Sequence, residues 1–198
     1  MRFSIIIPTH NAEKYIRKAL DSIQCQTFKD YELIVVCDAC TDRTEEIAME
    51  YGAITKEVNY HQDGQTRNAG IDMAKGDYIL FMDDDDWWLH EFVLEQLDNK
   101  LKEIGDVDVL CFSFIFKHWM YATPTGNSGN HWIAVWNKCW KREVIGNTRF
   151  SNRYSVSDVD FHYQMMQKNL KMYDWDMPMY YYNYLRKGSI SEQSRKGH

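Results

Sequence analysis

The sequence predicts an α/β fold built on a mainly parallel central sheet flanked by helices. Short apolar runs rich in β-branched residues alternate with segments of helical periodicity from Phe3 to about residue 108. The runs read as buried strands, and strand–helix–strand alternation implies right-handed crossovers that cover both sheet faces. The 198-residue chain is 44% apolar and 26% charged, which suits one soluble domain with a proper core. Three prolines and ten glycines are too few for long disordered stretches.

Phe3 to Ile7 reads as the first strand, stopped by Pro8. A helix is expected from Asn11, with Tyr15, Ile16, Ala19, Leu20 and Ile23 along one face. Glu32 to Val36 follows as the second strand. Asp42 is expected to cap the next helix, with Glu45 completing a capping-box pattern and Gly52 marking its end. Then come a short strand at Ile54 to Val58, a helix over 65–75 ended by Gly76, and a strand at Tyr78 to Met82. Leu94, Leu97, Leu101 and Ile104 mark another helix. After residue 108 the rhythm changes to the apolar run Val109 to Phe116 and then to Tyr/Trp-rich segments, with Thr123 to Asn130 as the flexible-looking loop. Trp132, Trp136 and Trp140, four residues apart, read as one packed face.

The net charge of −6 is unevenly divided: residues 1–116 carry 11 Lys+Arg against 23 Asp+Glu, and residues 117–198 carry 12 against 6. An acidic first half is unsuited to nucleic acid, whose phosphates need basic surface. The second half, with 15 of the 29 aromatic residues, suits an anionic or sugar-bearing partner. No apolar run approaches the roughly 20 residues that span a bilayer, and the first residues do not resemble a signal peptide. Five cysteines without a regular framework read as reduced thiols, so a cytoplasmic location is expected. Cys37-x-x-Cys40 lacks the second ligand pair of a zinc site, and the seven histidines show no metal-binding spacing.

On such a sheet ligands bind beyond the carboxyl ends of the strands, which selects Pro8–Asn11, Cys37–Asp42 and Asp83–Asp86. The run Asp83-Asp84-Asp85-Asp86 is the most informative. Two carboxylates about 4 Å apart repel by roughly 4 kcal/mol at an effective dielectric near 20. Crowded acid at a strand end points to a hard divalent cation, Mn²⁺ or Mg²⁺, bound through oxygen. The competing reading is a solvated acidic turn capping a helix that starts near His90. Asp38 has no evident capping duty and is expected to bond a ligand. Gly64 to Gly70 opens a helix where backbone N–H groups and Arg67 could face a diphosphate. Asp158 and Asp160 precede a helical pattern, where an acid serves as an N-cap or as a general base; local chemistry does not separate the two.

Together these segments resemble the family 2 glycosyltransferases, inverting enzymes of the GT-A fold with a Rossmann-like nucleotide-binding sheet. Phe3-Ser4-Ile5-Ile6-Ile7-Pro8-Thr9-His10-Asn11 is similar to the family's opening strand. Asp38, Thr41, Asp42 and Thr44 fit its Asp-rich second loop, followed in order by Arg67-Asn68-x-Gly70 and Ala74-x-Gly76-x-Tyr78-Ile79. Asp83-x-Asp85-Asp86 falls on the family's metal-binding motif. Trp136-Asn137-Lys138, Arg149-Phe150, Asp158-x-x-Phe161 and Pro178-x-Tyr180-Tyr181-Tyr182, with Ser189 and Ser191, resemble its closing blocks. The chain departs from the pattern at Cys37, at Ala39-Cys40, at His10 and at Ser157, where the family often has Glu beside the base.

The resemblance implies one glycosyltransferase domain over 1–198, with a nucleotide-sugar-binding half at 1–107 and an acceptor-side half at 108–198. It implies transfer from a nucleotide-diphosphate-sugar, with a UDP-sugar favoured, to a glycan or lipid-linked hydroxyl acceptor, with inversion. Pro8, Thr9, Asn11, Asp38, Arg67, Asp83 and Asp84 would bind the donor nucleotide, Asp85 the metal, and Asp158 would be the base. A lipid-linked acceptor would bring the protein to the inner face of the membrane as a peripheral partner. The alternative, suggested by Ser157, is a catalytically degenerate sugar-nucleotide-binding or assembly module.

Overall fold

The computed structural model describes residues 1–117, 120–126, 130–153 and 156–184, so Ser189 and Ser191 lie outside the described residues. The first part runs β1 (Phe3–Thr9), α1 (Ile16–Gln24), β2 (Tyr31–Asp38), α2 (Thr44–Glu50), β3 (Ile54–Val58), α3 (Asp63–Met73), β4 (Tyr78–Phe81), β5 (Trp87–Trp88) and α4 (Val93–Ile104). The second runs β6 (Val109–Phe116), β7 (Met120–Ala122), β8 (Lys138–Lys141), α5 (Arg142–Ile145), α6 (Ser157–Met166) and β9 (Met172–Tyr182). The strands form one sheet in the order β3-β2-β1-β4-β8-β6-β9-β5, with β7 on β6.

β3, β2, β1 and β4 are parallel neighbours, as strand–helix alternation predicts. β8 runs antiparallel between β4 and β6, β9 is parallel to β6, and β5 returns antiparallel on β9. Because side chains alternate along a strand, each buried strand feeds two apolar layers. Ile5, Ile7, Val35 and Leu80 pack with Ile16, Leu20, Ile47 and Leu97 of the helices, and this layer continues to Phe112, Trp136 and Tyr180. Ile6, Ile34, Ile79 and Phe81 pack on the other face with Ala69, Val109, Trp140 and Phe161. Both layers cross residue 107.

Several local expectations need correction. Pro8 does not stop β1, which pairs with β2 as far as Thr9. The Ile6 carbonyl accepts the Met82 N–H, so Pro8, two residues on, faces the same side beyond the last paired residue of β4 and needs no donor. α1 begins at Ile16 rather than Asn11, whose φ of 51° breaks the helical path. α2 starts with Arg43 at its N-cap. Asp42 Oδ1 accepts the Thr44 N–H at 3.0 Å, while Glu13, not Glu45, accepts the Arg43 N–H. α3 begins two residues earlier than expected. Gly70 lets it lie on β1, since a Cβ there would stand 2.3 Å from Ile6 Cγ2. The tryptophans share no face: Trp136 and Trp140 enter opposite layers and Trp132 is exposed. All five cysteines are free thiols. Among the described residues no helix is long and apolar enough to cross a membrane.

Candidate active site

The carboxyl ends of β1, β2 and β4 meet at one edge of the sheet. Thr9 closes β1 beside the buried Pro8 and donates its hydroxyl to Asp84 Oδ2 at 2.7 Å. Asn11 Oδ1 accepts the Thr41 N–H at 2.7 Å, which joins the first loop to the second. Four of the sequence-selected residues, Pro8, Thr9, Asn11 and Asp84, are thereby brought to one place.

Asp38 has the structural duty that the sequence reading did not give it. Its carboxylate is 5% exposed and accepts the N–H groups of Tyr60 (2.7 Å), His61 (2.9 Å) and Gln62 (2.9 Å) and the Thr66 hydroxyl (2.9 Å). These donors lie in the chain that enters α3, whose N-cap residue is Gln62. Burial disfavours the charged form, yet the hydrogen bonds outweigh it and hold the carboxyl below its ordinary value.

The four consecutive aspartates diverge. Asp83 Oδ1 accepts Arg67 Nη2 at 2.8 Å, Asp84 is held by Thr9, and Asp85 is half-buried. Asp86 is fully buried and accepts the Tyr180 hydroxyl at 2.6 Å and the Asn183 N–H at 2.7 Å. The Tyr180 oxygen also accepts the Asp83 N–H at 3.1 Å, so one tyrosine of β9 braces both ends of the turn. The turn is not a cap for α4, where Gln26 Oε1 accepts the Leu94 N–H.

Burial, against the pull of Arg67, raises the Asp83 carboxyl to about 6, with Asp85 and Asp158 adding to the rise. Burial, Asp83 and Asp85 push Asp86 well above the carboxylate range. The side chains of the turn offer only hard carboxylate oxygens, the ligand type that suits Mn²⁺ or Mg²⁺.

Arg67, 6% exposed, is the cation within this cluster. Its Nη1 lies 2.6 Å from Asp63 Oδ2, its Nη2 pairs with Asp83, and Nη1 stands 3.6 Å from Asp158 Oδ1, beyond hydrogen-bond reach. Burial would lower its pKa, but Asp158, Asp83 and Asp63 outweigh that and raise it. Asp158 sits in the first turn of α6 rather than at the N-cap, which is Val156. Burial raises its carboxyl, Arg67 and Lys138 oppose the rise, and Asp63 adds to it. Asp160 turns away to Ser151 and Arg153. The start of α3 is no open diphosphate cradle: a Cβ on Gly64 would stand 2.7 Å from Ser157 Cβ and from the Ser151 carbonyl oxygen.

Sequence reasoning left three participants without a role. Asp63 was legible as the i,i+4 partner of Arg67 on one helix. Tyr180 and Lys138 stood inside the family-like closing blocks, where nothing local showed what they contact. Lys138 is wholly buried and donates to the Trp132 carbonyl, the Ala134 carbonyl and Asn137 Oδ1 at 2.6, 2.7 and 2.9 Å. Burial lowers its ammonium to about 8.

A parallel four-stranded half, an acidic turn beyond β4 and an antiparallel strand between β4 and β6 define a GT-A transferase fold. The family model described as Glycosyl transferase family 2 matches residues 4–189, and the chain belongs to that family. The putative glycosyltransferase EpsH of Bacillus subtilis is 38% identical over 170 residues, covering 75% of this chain and 49% of that protein. Glycosyltransferase GlyA of Streptococcus pneumoniae is 36% identical over 107 residues, 52% of this chain and 15% of GlyA. The chain thus spans half or less of these curated relatives.

Among solved structures, S. aureus TarS 1–349 in complex with UDP-GlcNAc superposes with a TM-score of 0.83 at 24% identity, covering 97% of this chain and 61% of that one. The mannosyltransferase PcManGT of Pyrobaculum calidifontis, in complex with GDP-Man and Mn²⁺, gives 0.75 at 18% identity, covering 98% and 60%. These two likenesses concern the fold.

Proposed function

We propose that the chain transfers a sugar from a nucleotide-diphosphate donor, with a UDP-sugar favoured, to a hydroxyl acceptor with inversion. The observation that carries this is the meeting of Asp83 and Asp158 around the one guanidinium of Arg67, which sets the acidic turn beside a half-buried carboxylate at the sheet's carboxyl edge. Support comes from family membership and from the UDP-GlcNAc and GDP-Man–Mn²⁺ complexes of structural neighbours.

In this reading Thr9, Asn11 and Asp84 shape the nucleotide pocket, and Pro8 keeps their strand buried. Asp38 acts on the base side by fixing residues 60–62, and Arg67 orients Asp83 toward the ribose or the metal's water shell. Asp85 would hold Mn²⁺ or Mg²⁺. When bound, the ion supplies Lewis-acid charge for the departing diphosphate. Asp158 accepts the proton of the attacking hydroxyl, and its elevated carboxyl suits that task.

The acceptor half carries the basic excess of the sequence, which suits a glycan or a lipid-linked diphosphate at the inner face of a membrane, in polysaccharide or glycoconjugate synthesis. The test is nucleotide release from UDP-glucose, UDP-GlcNAc and GDP-mannose, with Mn²⁺, Mg²⁺ or EDTA, in wild type and Asp85→Asn. Metal-dependent release by the wild type alone is expected. Release that neither EDTA nor Asp85→Asn affects would overturn the metal assignment, and no release from any donor would overturn the transfer reading.

A further inference from the structure

Two carboxylate oxygens in the site, Asp63 Oδ1 and Asp158 Oδ1, are buried without a hydrogen-bond partner. They flank the same guanidinium and are not equivalent. Asp63, on α3, holds Arg67 Nη1 at 2.6 Å through Oδ2, and Ser157 Oγ donates to that same oxygen at 3.0 Å. Asp158, on α6, faces Nη1 at 3.6 Å and accepts no bond from it. One guanidinium nitrogen therefore lies between two acids, and its short contact with Asp63 fixes it 3.6 Å from Asp158.

We propose that Asp63 is a positioning residue for the transfer reaction: by holding Arg67 it keeps the guanidinium from closing on the buried Asp158 Oδ1 and leaves the partly exposed side of that carboxylate to the acceptor hydroxyl. The proposal rests on the reading of Asp158 as the base. Ser157 completes the arrangement, because its hydroxyl fixes the Asp63 carboxylate against the start of α6. The departure at Ser157 is then matched within this chain: an acid from another helix, rather than the neighbouring residue, stands beside the base. Gly64 permits it by admitting the start of α3 to within contact of Ser157.

The groups facing Asp158 are Arg67 and Asp63 on α3 and Lys138 on β8, with Asp83 at the end of β4 sharing Arg67. Neutralising Asp63 acts on Asp158 in one direction through two routes. A like charge is lost, and Arg67 is released to move the remaining distance. Both favour ionised Asp158 and lower its pKa, and the second also occupies its lone pairs.

Asp63→Asn is therefore expected to move the acid limb of the kcat/KM profile down by about one pH unit and to lower the plateau about tenfold. UDP affinity in Mn²⁺, measured calorimetrically, is expected to change far less. Asp63→Glu, which restores the charge, should return the limb toward wild type. If Asp63→Asn does not fold, Asp63→Ser gives the same readout with a smaller neutral donor. An acid limb that coincides with wild type in the neutral variant overturns the inference. Asp158→Asn separates this from failure of the underlying reading. Full turnover in Asp158→Asn removes the base itself, whereas an inactive Asp158→Asn with an unmoved limb in Asp63→Asn removes only the role of Asp63.

Discussion

Replacing Asp38 by Asn keeps the shape of the side chain and removes its charge at the point where four donors converge. The best placement of the amide leaves its oxygen on Tyr60 and His61 and turns its NH₂ toward Gln62 and Thr66. The Thr66 hydroxyl can rotate to accept, but the Gln62 N–H then faces another donor. Stranding that N–H costs about 1–3 kcal/mol, and the two surviving bonds each lose about 1 kcal/mol when their acceptor becomes neutral. The sum is about 3–5 kcal/mol, a large part of the roughly 5–15 kcal/mol that holds a domain folded.

Urea unfolding followed by circular dichroism at pH 7 should show this loss as a lower midpoint at unchanged slope. The pH dependence fixes its origin. Because the folded-state carboxyl is held below its ordinary value, its contribution is complete above the unfolded pKa of about 3.9 and is lost as pH falls through the folded pKa. The gap between wild type and Asp38→Asn should therefore narrow in acid. A midpoint shift worth under about 0.5 kcal/mol at pH 7 would refute the reasoning, since ordinary surface changes fall in that range.

Three further outcomes are expected. Asp158→Asn should lower kcat by about 10²–10⁴ with donor affinity near wild type, while Asp160→Asn, which contacts Ser151 and Arg153, should stay close to wild-type turnover in the same assay. Gly70→Ala should destabilise the fold by about 1–3 kcal/mol in denaturant despite gaining about 1 kcal/mol of helix propensity, because its methyl would overlap Ile6 at 2.3 Å. Binding to anionic vesicles, if the basic half meets a lipid-linked diphosphate, should fall between 50 and 300 mM salt, since exposed charges are screened within about 10 Å at 0.1 M; salt-independent binding would count against that acceptor.

The parallel half was legible because its signals are local. Buried strands such as Phe3–Ile7 and Tyr78–Met82 are mostly apolar runs, and α1 and α4 repeat apolar residues at helical spacing. The three polar loops followed from sheet geometry alone. What escaped was every feature whose partner lies far along the chain. Asp38 looked free because its donors are 22 to 28 residues away. Pro8 looked like a stop because the length of β4 decides which of its sides needs a donor. The tryptophans at 132, 136 and 140 fitted a helical spacing, but residue 136 precedes a strand that turns residue 140 to the other layer. The acidic turn was expected to be crowded charge, and its aspartates diverge to separate partners. Which acid faces which partner depends on Tyr180 and Arg67, and no local pattern carries that.

Tyr180 links the site to the order in which the fold is completed. Synthesis delivers β1 to β4 and the acidic turn long before β9. Until β9 lies beside β6 and β5, Asp86 lacks the Tyr180 and Asn183 donors and the Asp83 N–H lacks the Tyr180 oxygen. An N-terminal fragment ending near residue 107 would hold all three polar loops at the carboxyl edge of the sheet and still lack the brace that shapes its most charged turn. The last described strand is thus the keystone of the first half, and the acidic turn takes its braced form only after β9 has been made.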